Sequence, residues 1–234
     1  AHLGYAVPIG TVFATRNTIS PYVVGVDICC SMQLSVLDLP VPRKRPWNSD
    51  RLDRSLQVGT RFGLGCEFKK RQQHAVMDDD WSISSVTKSG KDKAWRQLGT
   101  SGGGNHFVEY GLLTIQDPGN GLGVEPGTYV ALMSHSGSRG VGFSVCDFYS
   151  EIARQQTPQE YETLIRQRLT WLSLDSEAGQ EYWQAMTLMG KYARANHELI
   201  HQNVSRLANA EILGTVYNSH NFAWQEEHQG ETLV

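Results

Sequence analysis

Four short stretches of this sequence place ionisable and nucleophilic side chains beside small residues. The side chains are Asp27 and Cys30 in residues 25–32, His106 in 103–107, His135 in 134–140 and His220 in 219–222. A thiolate, a carboxylate and imidazoles together suit a borderline divalent ion such as Mn²⁺, Zn²⁺ or Co²⁺. The sequence therefore predicts a two-metal site, provided that the fold brings the four stretches together.

Asp27 and Cys30 follow an apolar run, residues 22–28, that has the pattern of a buried strand. Because successive strand residues point to opposite faces, the two side chains converge only if the strand ends near residue 28 and the chain then turns. A buried carboxylate is costly unless it is paired or bound to metal. From the spacing alone, a core cysteine beside a capping aspartate is an equally good interpretation.

Three glycines at residues 102–104 come directly before Asn105 and His106. Glycine lets a ligand approach the backbone closely, and the N–H groups of such a loop suit phosphate. A phosphate could then be held against a metal ion. An ordinary glycine loop is the alternative interpretation.

Residues 135–140 lie between a predicted strand and a predicted helix, where backbone N–H groups favour anions. Arg139 offers a bidentate fork for phosphate. Ser136 beside His135 could suggest a hydrolase nucleophile, but the G-x-S-x-G elbow is absent. A metal ligand combined with a phosphate clamp is the favoured interpretation.

The remaining histidines are predicted to lie on the surface or in loops; they are His2, His74, His197, His201 and His228. His197 and His201, four residues apart on a predicted helix, could instead bind a metal on one helix face. Asn196 falls on the apolar stripe of that helix, and a buried amide there needs hydrogen-bond partners. It either supports the site or bonds to backbone.

The elements that must position these residues form an α+β fold, because strand patterns come first and helical patterns later. Strands are predicted at 22–28, 33–39, 105–113, 129–134 and 212–217, and helices from 142 onward and at 176–209. Residues 68–93 are predicted to hold a helix followed by exposed loops. Residues 1–234 are expected to form a single domain, a β-rich central core with peripheral helices.

The bulk composition is that of a globular protein, with 40% hydrophobic residues and a net charge of −3. There is no global basic signature, so contacts with nucleic acid would have to be local. The basic cluster at 43–45 is favoured as a solvated loop. No apolar run approaches the roughly 20 residues that span a bilayer. Four cysteines make a poor disulfide framework, which predicts reduced thiols and a cytoplasmic protein.

Taken in order, the motifs resemble those of the RtcB family of RNA-splicing ligases. The stretches that carry the resemblance are residues 2–5 with 8–10, 25–30, 98–109, 135–140 and 220–221. The resemblance implies an RtcB-like α+β fold and an enzyme that uses GTP and two Mn²⁺ ions. Its substrates would be an RNA 3′-phosphate or 2′,3′-cyclic phosphate end and a 5′-hydroxyl end, in tRNA splicing or RNA repair.

Carried over residue by residue, the resemblance implies that Cys30 bridges the two metals. His106 would complete one site, and Asp27, His135 and His220 the other. Further implied roles are catalysis for Arg139 and His220, and nucleotide binding for Asn105, Glu109 and Asn221. The histidine that becomes guanylylated in the family lies beyond Val234. The chain is thus expected to be an internal fragment that keeps its metal ligands and does not ligate alone.

Two other functions are compatible with the same residues. One is a metal-dependent phosphoesterase that acts on RNA end phosphates, which needs no guanylylated histidine. The other is a non-catalytic RNA- or metal-binding remnant of a ligase.

Overall fold

The computed structural model of the chain describes residues 7–8, 10–42 and 50–234. The strands in this part of the chain are β1 Thr18–Ile19, β2 Ser31–Leu37, β3 Phe107–Ile115, β4 Gly127–Ser136, β5 Leu172–Ser173, β6 Ile212–Ser219, β7 Glu226–His228 and β8 Glu231–Leu233. The helices are α1 Pro21–Val24, α2 Asp50–Gly59, α3 Ser85–Gln97, α4 Arg139–Gln156, α5 Glu162–Arg166 and α6 Glu177–Leu207, with 3₁₀ turns at Ala75–Met77 and Gln159–Tyr161. The predicted α+β class is confirmed.

A four-stranded antiparallel sheet in the order β3-β4-β2-β6 brings the motif stretches together. Ser31, the first residue of β2, lies opposite Ser136 at the end of β4 and opposite Ser219 at the end of β6. Phe107, the first residue of β3, lies opposite His135. Four strand termini therefore meet at one end of the sheet, which we call the site end.

Helix α6 packs against β2 and β4 and supports the site end from one face. Its N-terminus is capped by Ser176, whose hydroxyl accepts a hydrogen bond from the Gly179 N–H at 3.1 Å. An apolar stripe that includes Tyr182, Met186 and Met189 is fully buried along the helix. The helix follows the predicted range of 176–209 closely, because the period of 3.6 residues is unbroken there.

The predicted strand at 22–28 is wrong. Pro21 occupies the first helical position, where its fixed φ favours a helical turn, and the chain forms α1 instead. Gly25 then leaves the helix with φ 106°, a conformation that glycine adopts without strain. Asp27 and Cys30 consequently lie in a turn between α1 and β2.

The order predicted for residues 68–93, a helix followed by loops, is also wrong. Loop structure with one 3₁₀ turn comes first, and α3 follows at Ser85–Gln97. The start of α3 is fixed by a capping box in which Ser84 and Thr87 satisfy each other's backbone N–H groups. His2 and the basic cluster at 43–45 lie outside the described residues. Within the described part of the chain, the helices are too short or too polar to cross a bilayer.

Candidate metal centre

The site end of the sheet places four candidate ligands next to strand termini. Cys30 immediately precedes β2, His106 immediately precedes β3, His135 is the next-to-last residue of β4, and His220 immediately follows β6. The His220 N–H donates to the Cys30 carbonyl at 3.0 Å, which continues the β2–β6 ladder by one step. Strand register therefore determines how these four side chains face one another.

The fifth candidate, Asp27, reaches the site through a tight turn. The Cys30 N–H donates to the Asp27 carbonyl at 2.9 Å, and Cys29 between them has φ 58°. The Asp27 carboxylate packs directly against Gly137, where any Cβ would overlap it. Glycine at 137 is thus required for the carboxylate to lie in this position.

Two sets of donor atoms share the Cys30 thiol, and in each set the atoms lie within 4.8 Å of one another. We call them the Asp27 set (Asp27, Cys30, His106) and the His220 set (Cys30, His135, His220). In the Asp27 set, His106 Nε2 lies 2.7 Å from Asp27 Oδ2 and 3.5 Å from Cys30 Sγ. In the His220 set, His135 Nε2 lies 3.1 Å from Cys30 Sγ and 3.3 Å from His220 Nε2.

These separations are those expected between neighbouring ligands of one ion, because bonds of about 2.0–2.3 Å to N, O and S place such atoms roughly 3 Å apart. The residues therefore fit two divalent ions that share a thiolate. The resemblance groups Asp27 with His135 and His220, whereas the distances group it with His106.

The charge states of Asp27 and Cys30 differ although the two side chains are close. Burial raises the pKa of the Cys30 thiol far above its usual range, and the negative charge of Asp27 adds to the increase. Burial also raises the pKa of Asp27, but its hydrogen bond to His106 and the charge of that ring outweigh burial and lower it overall. Without metal the thiol is protonated and the carboxylate ionised, so an ion that binds must displace the thiol proton.

Arg139 lies beside the centre and against the glycine loop. It begins α4 with φ 59°, a left-handed conformation that costs an ordinary residue about 1 kcal/mol. Its guanidinium packs on Gly102, which has no side chain to exclude it. The Nε–H donates to Thr100 Oγ1 at 3.2 Å. This places a cation beside a loop whose Gly102 and Gly104 both have positive φ, an arrangement suited to an anion.

The three residues predicted to contact a nucleotide are placed differently from one another. Asn105 is exposed, and its carbonyl accepts a hydrogen bond from His135 Nδ1 at 2.9 Å. Asn221 is half-buried, and its carbonyl accepts from the Cys29 N–H at 2.6 Å. Glu109 is exposed on β3, and within the described residues no hydrogen bond joins it to the metal centre.

Asn196 links α6 to the site end, and its four hydrogen bonds satisfy the whole amide. Its Oδ1 accepts from the N–H groups of Gly99 and Thr100 at 2.7 and 3.1 Å. Its Nδ2 donates to the Thr100 carbonyl at 2.9 Å and to Ser136 Oγ at 3.1 Å. Asn196 thus bonds to backbone and, through the same bonds, fixes the two segments that carry the glycine loop and His135.

The surface position predicted for His197 and His201 is wrong, because both are buried against the sheet with at most 1% of their surface exposed. Ser134 Oγ lies between them, 2.6 Å from His197 Nδ1 and 2.8 Å from His201 Nε2. His197 Nε2 donates to the Ser136 carbonyl at 3.1 Å. Burial lowers the pKa of His197 to about 4 and that of His201 to about 3.

A signal for this burial is present in the sequence. His197 is four residues after Ala193 and three before Ile200, and these two apolar residues lie on the buried stripe of α6. Of the other histidines in the described part, His74 pairs with Glu198 at 3.1 Å and His228 is exposed on β7.

One family model and several curated proteins are similar to this chain. The sequence model of the family described as "tRNA-splicing ligase RtcB" matches residues 1–82 and 43–234. The tRNA-splicing ligase RtcB of Archaeoglobus fulgidus is 28% identical, over 97% of this chain and 56% of that protein. The RNA-splicing ligase RtcB of Mycobacterium tuberculosis is 32% identical, over 97% of this chain and 62% of that protein. The RNA-splicing ligase RtcB of Escherichia coli K12 is 24% identical, over 99% of this chain and 60% of that protein.

The chain therefore spans only about half to three fifths of the length of the curated relatives it matches. The two segments matched by the family model nevertheless cover the whole of this chain. On this evidence the chain belongs to the tRNA-splicing ligase RtcB family.

Proposed function

We propose that this chain is the metal-binding part of a GTP- and Mn²⁺-dependent RNA ligase. The ligase joins an RNA 3′-phosphate or 2′,3′-cyclic phosphate end to a 5′-hydroxyl end, in tRNA splicing or RNA repair in the cytoplasm. The observation that supports this proposal best is the pair of donor sets sharing Cys30, next to a glycine loop and Arg139.

In this proposal Cys30 would hold both Mn²⁺ ions as a thiolate, and the other members of each donor set would complete the two sites. Bound divalent ions would neutralise phosphate charge and hold the reacting groups in line. Arg139 and the glycine loop bind phosphate oxygens of the nucleotide or RNA. Asn105, Glu109 and Asn221 contact the nucleotide around the centre.

None of the histidines in the chain is proposed as the guanylate acceptor. His106, His135 and His220 belong to the donor sets, and His197 and His201 are engaged in buried hydrogen bonds. Because the resemblance matches no histidine of this chain to the guanylate acceptor of the family, the 234-residue chain is expected to bind metal and RNA ends without forming a covalent guanylate or sealing RNA.

Mn²⁺ titration of the chain by isothermal titration calorimetry tests the metal centre. Two ions per chain are expected for the unmodified protein. Cys30→Ala should lose both sites, because each donor set contains that thiol. Cys66→Ala is the matched control, since Cys66 is a free, part-buried thiol outside both sets. Retention of two ions by Cys30→Ala would refute the shared-thiolate centre.

The reaction class is tested with RNA that carries a 3′-phosphate. Release of inorganic phosphate with Mn²⁺ and without GTP would favour a phosphoesterase over a ligase. Incubation with Mn²⁺ and radiolabelled GTP should leave the chain unlabelled. A covalent guanylate adduct on this chain would contradict the proposed division of roles.

A further inference from the structure

A polar cavity of about 430 Å³ lies between the C-terminal half of α6 and the strands β2 and β6. This volume is within the range of small-molecule sites in proteins. The walls of the cavity include Gln33 of β2, Arg194 and Gln202 of α6, and Thr215 and Tyr217 of β6. None of these residues belongs to either donor set, so the metal centre does not account for the cavity.

The amide of Gln33 faces this cavity without a hydrogen-bond partner. The residue is only 5% exposed, and within the described part of the chain no hydrogen bond involves its side chain. A buried amide normally makes hydrogen bonds, because its removal from water otherwise costs free energy. The Gln202 amide also lines the cavity without a partner among the described residues. The two amides therefore point to a ligand that both donates and accepts hydrogen bonds.

The charged groups of the cavity are already paired or neutral. The Arg194 Nε–H donates to Glu198 Oε1 at 3.1 Å, so a carboxylate balances the guanidinium. Burial lowers the pKa of His201, another wall residue, to about 3, so its ring is uncharged at neutral pH. Among the described residues that line the cavity, no cation is left for a phosphate or carboxylate. An uncharged ligand is therefore favoured over an anion.

Arg194 provides a flat surface for a planar ligand. Its guanidinium lies over the Tyr217 ring, 5.5 Å from the ring centroid. The Tyr217 hydroxyl donates to Ser31 Oγ at 2.7 Å, which holds the ring in place. The Arg194 side chain is 65% exposed, so the guanidinium stays accessible to a ligand. Nucleobases stack on arginine planes, and a glutamine amide pairs with the adjacent donor and acceptor of adenine.

We propose that this cavity binds an unpaired adenine base of the RNA substrate. The base stacks on Arg194, while the Gln33 amide donates one hydrogen bond to its edge and accepts another. The assignment of the base to RNA rests on the proposed function, whereas the preference for a neutral, planar ligand comes from the cavity itself.

The position of the cavity suits a nucleotide close to the reacting RNA end. In the described sheet β6 is an edge strand, so an RNA strand can cross this edge to reach the cavity. Tyr217 precedes His220 by three residues, which is about 10 Å along an extended strand. The bound adenine therefore belongs to a nucleotide near the end that lies at the metal centre.

NMR titration of the chain with adenosine in the presence of a chelator tests the cavity apart from the metal centre. Adenosine should shift the side-chain NH₂ signals of Gln33, which are assigned by their loss in Gln33→Met, with a dissociation constant on the order of 1 mM. N6,N6-dimethyladenosine keeps the ring but lacks the amino hydrogens, and it should bind about tenfold more weakly. Ribose 5-phosphate should leave the signals unchanged.

Three outcomes of these titrations would overturn the inference. They are absence of adenosine binding, equal binding of the two nucleosides, and binding of ribose 5-phosphate as strong as that of adenosine. The last outcome would show that the cavity recognises phosphate or sugar and not the base.

Two variants separate hydrogen bonding from stacking, with the backbone signals of Thr215 and Tyr217 as the readout. Gln33→Met removes the amide at similar side-chain length and should weaken adenosine binding about tenfold. Arg194→Lys keeps the positive charge beside Glu198 but removes the plane, and should weaken binding about fivefold. The matched control is Gln156→Met, because Gln156 is exposed at the end of α4 and should not affect binding. Unchanged binding by both cavity variants would overturn the inference.

Mn²⁺ titration distinguishes failure of this inference from failure of the proposed function. Both cavity variants should still bind two Mn²⁺ ions, because neither residue belongs to a donor set. If the unmodified chain binds two Mn²⁺ ions but no adenosine, only the inference about the cavity is overturned. If it binds adenosine but no Mn²⁺, the proposed function is contradicted instead.

Discussion

The buried pair His197 and His201 should make the fold sensitive to mild acid. Burial lowers their pKa values to about 4 and about 3, from 6.5 for an ordinary imidazole. Between pH 6.5 and pH 4 the unfolded chain therefore binds protons that the folded chain does not. Since stability falls wherever the unfolded state binds more protons, lowering the pH through this window destabilises the fold.

The loss of stability grows with the number of pH units below 6.5, the pKa of an ordinary imidazole. At pH 5 each histidine costs about 2 kcal/mol relative to neutral pH, because one pH unit corresponds to about 1.4 kcal/mol per proton. The pair together costs about 4 kcal/mol, a large share of the roughly 5–15 kcal/mol that stabilises a typical domain. Asp27 titrates below this window, since its pKa is lowered from 3.8.

Urea unfolding at pH 7.5 and pH 5.0, followed by tryptophan fluorescence in the presence of a chelator, measures this loss. The control is His197→Gln with His201→Gln, which removes both titrating groups. The double variant should be less stable at pH 7.5, because its hydrogen bonds to Ser134 are altered, but its stability should depend much less on pH. Equal losses in the two proteins between pH 7.5 and pH 5.0 would refute the reasoning.

Three further predictions concern the site end. Gly137→Ala should weaken Mn²⁺ binding at least tenfold in calorimetric titration while unfolding changes little, because a Cβ would displace the Asp27 carboxylate; unchanged affinity would contradict this packing. Asn196→Ala should destabilise the fold by about 3 kcal/mol in urea unfolding, because its buried partners lose their hydrogen bonds. Asn196→Asp should not restore the hydrogen bonds that the amide donates to Thr100 and Ser136. A loss under about 1 kcal/mol for Asn196→Ala would show that water replaces the amide. Mn²⁺ binding should release the Cys30 proton and tighten as pH rises from 6 to 8, because burial raises the pKa of that thiol. Calorimetry in buffers of different ionisation enthalpy should show the proton release. A binding enthalpy that does not depend on the buffer would contradict it.

Patterns with a long, regular period were predictable from the sequence. The stripe on α6 and the alternation in β2 each leave one face apolar over many residues, and the structure has both elements. The strand predicted at residues 22–28 was wrong because an apolar β-branched stretch has the same composition in a strand and in a buried helical turn. Pro21, at the start of that turn, was the deciding residue.

The candidate ligands were recognisable from residue type, but their grouping was not. Whether Asp27 lies with His106 or with His135 depends on the turn around Cys29 and on the packing of the carboxylate against Gly137. The turn is a local conformation without a sequence period. The packing is a contact between segments more than 70 residues apart. The burial of His197 was predictable from its position on the stripe, but histidine is intermediate between the buried and the exposed residue types, so its type alone did not indicate burial.

The register of the sheet has a consequence for folding as well as for chemistry. The β2–β4 and β2–β6 pairings align Ser31 with Ser136 and Ser219, which brings His135 and His220 to Cys30. A slip of one residue in either pairing would turn alternate side chains to the other face and separate these donors. An ion that binds all three therefore stabilises only the correctly paired sheet, and each slipped pairing forgoes that stabilisation. In this way a bound metal ion would favour one register of strands that are far apart in the chain.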